Sequence, residues 1–228
     1  VYSYITYCTS GTPPYYLTTS PLSGNTTTQP CSFSGTKVIG PTGDYPTLTA
    51  ALNAINTNGL AGSVVLEIQT SYTGVGESIP VTIGNYPCAS ASNTLTIRPQ
   101  GTMTITASYA GPLIDLNGAR YVTIDGRVGS TGSTKALTII NTNTGGYPVR
   151  FINDAQYNKI KYTTLRGVGT STAFGIVYFS TTTGTDGNSY NMLDHDDLLD
   201  GASYYLNGIY SLGTTGKENK YDTVQYCN

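Results

Sequence analysis

Leu113-Ile114-Asp115-Leu116-Asn117-Gly118-Ala119-Arg120-Tyr121-Val122-Thr123-Ile124 lines up, 36 residues further on, with Val149-Arg150-Phe151-Ile152-Asn153-Asp154-Ala155-Gln156-Tyr157-Asn158-Lys159-Ile160. Asn, Ala, Tyr and Ile recur at matching places. The register continues: Tyr157-Asn158-Lys159-Ile160-Lys161-Tyr162-Thr163-Thr164-Leu165 matches Tyr190-Asn191-Met192-Leu193-Asp194-His195-Asp196-Asp197-Leu198 at a spacing of 33, then Tyr221-Asp222-Thr223-Val224-Gln225-Tyr226 at 31. Gly175-Ile176 returns as Gly208-Ile209. Periods of this length, carrying short strands and no helical spacing, predict a solenoid whose coils each contribute several strands. In such a coil one apolar residue per strand points into a narrow core and stacks on its counterpart about 4.8 Å away. Ile124, Ile160, Leu193 and Val224 make one such ladder, and Leu165 with Leu198 another.

Outward from the repeat, short β-patterned runs lie at Val64 to Ile68, Val81 to Ile83, Leu95 to Ile97, Met103 to Ile105, Leu113 to Leu116, Val122 to Ile124, Leu137 to Ile140 and Val149 to Ile152. One segment breaks this texture. Between Gly43 and Asn56 the apolar residues Leu48, Ala51, Leu52 and Ile55 fall at the spacing of an amphipathic helix, which Asn58-Gly59 ends. The expected organisation is an N-terminal extension over 1–42, a capping helix over 43–60 and the solenoid over 61–228. The extension is turn-rich except for Val1 to Tyr7, which reads as one Tyr- and β-branched-rich strand.

The capping helix followed by Tyr121-Val122-Thr123-Ile124-Asp125-Gly126 and the Tyr-Asn-x-Ile coils resembles the right-handed parallel β-helix of the pectin-lyase-like superfamily. More narrowly, the chain over 37–228 is similar to large secreted surface proteins and adhesins of Bacteroidota. The resemblance implies an all-β, right-handed parallel β-helix with a short N-terminal capping helix. It implies little about activity, because that scaffold carries both polysaccharide lyases and non-catalytic fibres. At corners where the family repeats Asn-Asn-Thr-Ile, this chain places Tyr157, Tyr190 and Tyr221. A second aromatic column holds Tyr162, His195 and Tyr226. Rings one coil apart fall within stacking range, which predicts a rigidifying role.

Composition narrows the function. The chain has 228 residues, of which only 11 % are charged, and a net charge of -2. A nucleic-acid partner needs a basic patch that 11 scattered Lys and Arg do not supply. With 38 % hydrophobic residues and 20 Tyr the chain is not of disordered type. No apolar run is long enough to span a membrane, and no export signal opens the chain, which therefore reads as a mature form. Cys8, Cys31, Cys88 and Cys227 form no C-x-x-C pair, so a zinc site has no support and no cofactor is expected. An oxidising, extracellular setting fits better, with Cys8 bonded to Cys31 across the Pro- and Thr-rich segment between them. Cys88 and Cys227 lie too many coils apart to pair within one stack, leaving them to meet between subunits. Asn25-Thr26-Thr27 fits an N-glycosylation sequon and Asp222-Thr223-Val224 a short O-glycosylation pattern.

The acidic cluster Asp194, Asp196, Asp197 and Asp200 is where carboxylates meet the single histidine, His195. As chemistry it suggests an acid/base pair for glycoside hydrolysis or an oxygen-ligand calcium site. The repeat favours structure, since Asp194, Asp196 and Asp197 occupy the places of Lys161, Thr163 and Thr164 at a strand-to-corner segment that tolerates Asp or Asn. Asp115, Asp125 and Asp154 read as solvated strand ends. The expected function is therefore a secreted structural or adhesive protein forming a head-to-tail filament. Either Val1, Tyr2, Tyr4, Ile5 and Tyr7 add as a strand to another copy's open edge at Val224 and Tyr226, or the natural chain continues there with more coils. A carbohydrate-active enzyme and a non-catalytic glycan-binding module are the alternatives.

Overall fold

A computed structural model describes residues 31–228. These residues belong to one unit, Cys31–Asn228. The strand-like Val1 to Tyr7, Cys8 and the Asn25 sequon lie outside the described residues. Strand β1 (Phe33–Ile39), helix α1 (Leu48–Asn58), β2 (Leu60–Ile68) and β3 (Val81–Ile83) come first. Coils of three strands follow: β4 (Leu95–Pro99), β5 (Met103–Ala107) and β6 (Pro112–Asn117); β7 (Val122–Asp125), β8 (Leu137–Asn141) and β9 (Tyr147–Ile152); β10 (Lys159–Lys161), β11 (Thr163–Gly167) and β12 (Val177–Phe179); β13 (Met192–Asp194), β14 (Asp197–Asp200) and β15 (Ile209–Ser211). Strand β16 (Thr223–Gln225) begins one more. Every third strand returns to the same sheet, giving a seven-stranded sheet β1-β2-β4-β7-β10-β13-β16, a four-stranded sheet β5-β8-β11-β14 and a five-stranded sheet β3-β6-β9-β12-β15. Every ladder between these strands is parallel, and the described residues form an all-β solenoid of about 6 turns.

The core consists of the apolar ladders. Ile124 pairs with Ile160, Ile160 with Leu193 and Leu193 with Val224, as the repeat predicts, and Ile97 extends the column by one coil. In the four-stranded sheet Ile105, Ile139, Leu165 and Leu198 stack in turn. Helix α1 covers the first coils with the predicted stripe, Leu48, Ala51, Leu52 and Ile55 all being buried. Its first turn leaves N–H groups without intrahelical partners. The Thr47 hydroxyl accepts from Ala50 N at 3.1 Å, and the Glu77 carboxylate accepts from Leu48 N and Thr49 N, each at 2.8 Å. Gly59 closes the other end in the left-handed region, its N–H donating to Ile55 O.

Four expectations change. Strand β1 falls within the stretch read as an irregular extension, so the sheet begins at Phe33, ahead of the helix. Gly35, Lys37 and a register shift between Phe33 and Gly35 interrupt its alternation and hide it in the sequence. The upstream half of the first sequence match slips by one residue: Ile114, not Leu113, pairs with Val149. The later coil holds Asn153 and Asp154, both at positive φ, where the earlier one has Gly118 alone, so the match is restored by Tyr121 and Tyr157. Similarly Val177, not Ile176, pairs with Ile209. Finally, Cys31 is joined to Cys88, with Cα atoms 6.5 Å apart. That excludes the Cys8–Cys31 bond and removes Cys88 as a thiol for contact between subunits. The reason is tertiary: β1 lies beside β2, and the turn after β3 brings Pro87 against Gly59 and Cys88 to Cys31, as the approaches of Cys31 Sγ at 2.5 Å and Pro87 Cβ at 3.1 Å to a Cβ built on Gly59 show.

Candidate functional site

Two corners of the solenoid concentrate the unusual side chains. At the corner before β7, β10, β13 and β16 the chain turns through Tyr121, Tyr157, Tyr190 and Tyr221, each with φ near +60°. A left-handed conformation costs a non-glycine residue about 1–2 kcal/mol. Ring stacking offsets this, at about 0.5–1.5 kcal/mol per pair: centroids lie 5.1, 5.0 and 4.9 Å apart with interplanar angles of 5°, 7° and 17°. The corner after these strands repeats the device. There Tyr162, His195 and Tyr226 are also left-handed, with centroids 4.6 and 4.7 Å apart. The column starts at Gly126, where a Cβ would lie 2.0 Å from Tyr162 O. Instead the Arg127 guanidinium covers the Tyr162 ring at 4.2 Å. Both predicted aromatic columns are therefore present.

Behind the tyrosines runs a buried amide ladder that the sequence reading passed over, although an Asn or Asp follows the column tyrosine in three of the four coils. Asn158 Oδ1 accepts from Val122 N, Asn191 Oδ1 accepts from Asn158 N and Nδ2, and Asp222 Oδ1 accepts from Asn191 N and Nδ2. Asn158 and Asn191 also donate to Ala119 O and Ala155 O. Corner backbone that no sheet can satisfy thus finds partners in side chains one coil away. Asp222 ends the ladder as a carboxylate, and burial pushes its pKa up to about 6 against the Asn191 donors.

The acidic cluster does not converge on one point. Asp196 is 0 % exposed; its oxygens accept from Thr163 N at 2.8 Å and Asp194 N at 3.2 Å. Burial pushes its pKa up to about 7 despite these donors. It is a structural acceptor inside the corner and not the tolerant corner position expected, because the corner turns its side chain inward beneath Thr163. Asp197 is held by Lys135 and by Asn228 Nδ2. Burial raises its pKa, but these partners outweigh burial and leave it below the ordinary carboxylate range. Asp194 accepts from Gln225 Nε2 at 3.0 Å and meets His195 Nδ1 at 2.8 Å. Asp200 Oδ1 accepts from Tyr205 N. Among the described residues no three His, Cys, Asp or Glu side chains are grouped to hold a metal ion.

Asp115, Asp125 and Asp154, expected at solvated strand ends, are buried. Asp115 pairs bidentately with Arg150, both contacts being 2.8 Å. Asp125 lies between Arg127 Nε at 2.9 Å and Lys161 Nζ at 3.2 Å, and these cations overcome burial to hold its pKa down. Asp154 accepts from the Thr182 hydroxyl and from Thr185, Asp186 and Gly187 N–H, which likewise outweigh burial. It pins the turn over 181–187 to the corner. Opposite charges stack in register because each coil presents the same strand position to its neighbour, a relation that the spacing contains but composition does not.

The last described coil is uncovered on its far side. Among the described residues nothing pairs with the outer edge of β15 or β16. Val224 is 49 % exposed, although its counterparts Leu193 and Ile160 are fully buried in the same ladder, while Tyr221 and Tyr226 are exposed, as Tyr157 and Tyr190 are in the earlier coils. A shallow groove of about 320 Å³ runs beside the tyrosine column, with Gln156, Asp186, Ser189 and Lys220 in its wall. No described helix is long and apolar enough to cross a membrane. Ladders, corners and open edge together define the class, a parallel β-solenoid. No family model, curated protein or solved structure matches the chain.

Proposed function

We propose that this chain is a non-catalytic structural or adhesive module of an extracellular surface or fibre protein, of the right-handed, pectin-lyase-like β-helix kind. In this reading its stack is extended head to tail by a second copy at the edge of β15 and β16. The continuous ladders and aromatic columns carry the proposal, because each coil presents the same apolar residue and the same ring faces in register to its neighbour, a surface that another coil of the same kind can continue. A contact between unlike ends need not close and so propagates. The engagement of Asp194, Asp196 and Asp197 in corner hydrogen bonds and ion pairs supports a scaffold over a lyase or hydrolase. Disulfide chemistry at Cys31–Cys88 and the uncharged surface agree with an extracellular setting.

Sedimentation and electron microscopy of the chain, with and without residues 1–7, test this. Concentration-dependent filaments that disappear on deletion while the circular dichroism spectrum persists are expected. A chain monomeric at every concentration would refute the reading. Glycan binding is the second reading, favoured by the polar groove along Tyr157, Tyr190 and Tyr221. Retention on immobilised acidic or neutral polysaccharides, lost in Tyr190→Ala, would support it.

A further inference from the structure

Helix α1 packs beside β3, and a cavity of about 230 Å³ opens between them. Leu52, Asn53 and Asn56 line it from the helix, and Thr82, Gly84 and Tyr86 from β3 and the turn that follows. None of these six side chains is charged at neutral pH. Leu52 and Tyr86 are buried and make the apolar floor, whereas Asn53, Asn56 and Thr82 are exposed. A Cβ built on Gly84 would meet only Asn117 O, at 4.0 Å, so this side of the cavity is bare backbone.

The polar groups here have unused hydrogen-bonding capacity. The carboxamides of Asn53 and Asn56 have no partner among the described residues, and the Thr82 hydroxyl reaches Pro80 O only at 3.5 Å. The Tyr86 hydroxyl is, among the described residues, the one buried side-chain polar atom without a hydrogen bond. Burial pushes its pKa up, which the Gly84 N–H opposes without reaching hydrogen-bond geometry, so the group stays a neutral phenol with a proton to donate. Native structures leave few such groups unpaired, and a molecule held beside them is one way they are satisfied.

We propose that this cavity binds one neutral pyranose unit, held by the Asn53 and Asn56 carboxamides, the Thr82 hydroxyl and the Tyr86 phenol. Each carboxamide offers an acceptor and a donating NH2, a pair that matches two neighbouring sugar hydroxyls. Residues three apart on a helix have Cβ atoms about 5–6 Å apart, so the two amides bracket one ring. One sugar hydroxyl accepts from Tyr86 and another donates to Thr82. The ring C–H groups lie on Leu52 and Tyr86, the apolar share that small-molecule sites ordinarily have. The uncharged lining selects against uronates and amino sugars, whose charge would lose water without gaining a partner. The volume is below the about 300 Å³ at which pockets for drug-sized ligands begin, so one unit fits and any remaining chain stays outside. The site is separate from the tyrosine groove and does not depend on assembly.

Isotope-edited NMR of the full chain, titrated with glucose, galactose and mannose and with their methyl glycosides, tests this. Shifts are expected at the side-chain amides of Asn53 and Asn56 and at the backbone amides of Thr82 and Gly84, with glucuronate and glucosamine binding more weakly. Methyl glycosides bound as tightly as the free sugars would mark the end of a glycan as the source, and preference for the free sugars a monosaccharide. Tyr86→Phe separates binding from a structural role: affinity should fall about tenfold, the size of one hydrogen bond, while the melting temperature stays level or rises because the hydroxyl has no partner to lose. Asn53→Ala and Asn56→Ala should each weaken binding about tenfold, in a helix that alanine favours. Absence of any sugar-induced shift at these amides, or shifts that persist at parental affinity in all three variants, would overturn the proposal. Shifts confined to Tyr157 and Tyr190 would also overturn it, while supporting glycan binding in the tyrosine groove.

Discussion

Replacing Asn191 by Ala tests whether the buried amide ladder holds the corners together. The side chain is buried, accepts from Asn158 N at 3.2 Å and Asn158 Nδ2 at 3.0 Å, and donates to Ala155 O at 2.9 Å and Asp222 Oδ1 at 3.1 Å. The partners do not suffer equally. Ala155 O still accepts from Ser189 N, Asp222 Oδ1 still accepts from the backbone N–H of residue 191, and Asn158 Nδ2 keeps Ala119 O. Asn158 N–H alone loses its acceptor in a buried place, at about 1–3 kcal/mol, and the three surrendered bonds add about 0.5–1.5 kcal/mol each. A loss of roughly 4 kcal/mol follows, which for a unit of this size lowers the melting temperature by about 10 °C. Because stacked coils can open in sections, amide exchange at Asn158 is the sharper readout. Its protection should collapse in the variant while amides of β2 and β4 remain protected. A melting temperature within about 2 °C of the parent, with the Asn158 amide still protected, would refute the ladder's role.

The buried carboxylates give the protein an unusual pH profile. Asp196 and Asp222, raised to about 7 and about 6, bind protons in the folded state that the unfolded chain has released, so they stabilise below the ordinary carboxylate pKa and lose that contribution as pH rises towards 7. Asp125, Asp154 and Asp197 are lowered and work oppositely, their contribution being lost as pH falls below the ordinary value. Denaturant unfolding should therefore show maximal stability near about pH 4–5, and a plateau from 5 to 8 would contradict this. Asp222→Asn continues the chemistry of Asn158 and Asn191; the variant should be more stable than the parent at pH 7 and equal to it near pH 4, as chemical denaturation at both values would show. Tyr190→Ala gives up two stacks at about 0.5–1.5 kcal/mol each while staying left-handed, so Tyr190→Gly should be less destabilised, by about 1 kcal/mol in urea titrations. Equal losses would mean that the corner carries no conformational cost. Peptide mapping without reduction should recover Cys31 joined to Cys88, and Cys31→Ser with Cys88→Ser should cost about 4 kcal/mol for a separation of 57 residues. Recovery of Cys31 joined to any other cysteine would overturn that assignment.

The sequence by itself determined the solenoid, the ladder Ile124, Ile160, Leu193 and Val224, the buried stripe of α1 and both aromatic columns. A solenoid makes this possible, because its tertiary contacts join residues at one nearly constant spacing, so a periodic sequence is already a contact list. Tertiary structure decided whatever departs from that spacing. Strand β1 has Gly35 and Lys37 where alternation would show, and it is held in the sheet by β2 rather than by its own pattern. The added residue at Asn153-Asp154 moved part of the register by one, which an alignment of similar letters could not separate from a match. Cys31 found Cys88, and Asp115, Asp125, Asp154 and Asp196 turned inward, because the direction of a corner side chain depends on backbone that only the assembled coils impose. Burial of a carboxylate is tolerable when cations or N–H groups from the adjoining coil or the same corner meet it. Those partners are set by how the coils stack and turn, and the local sequence around each Asp looks the same whether they are there or not.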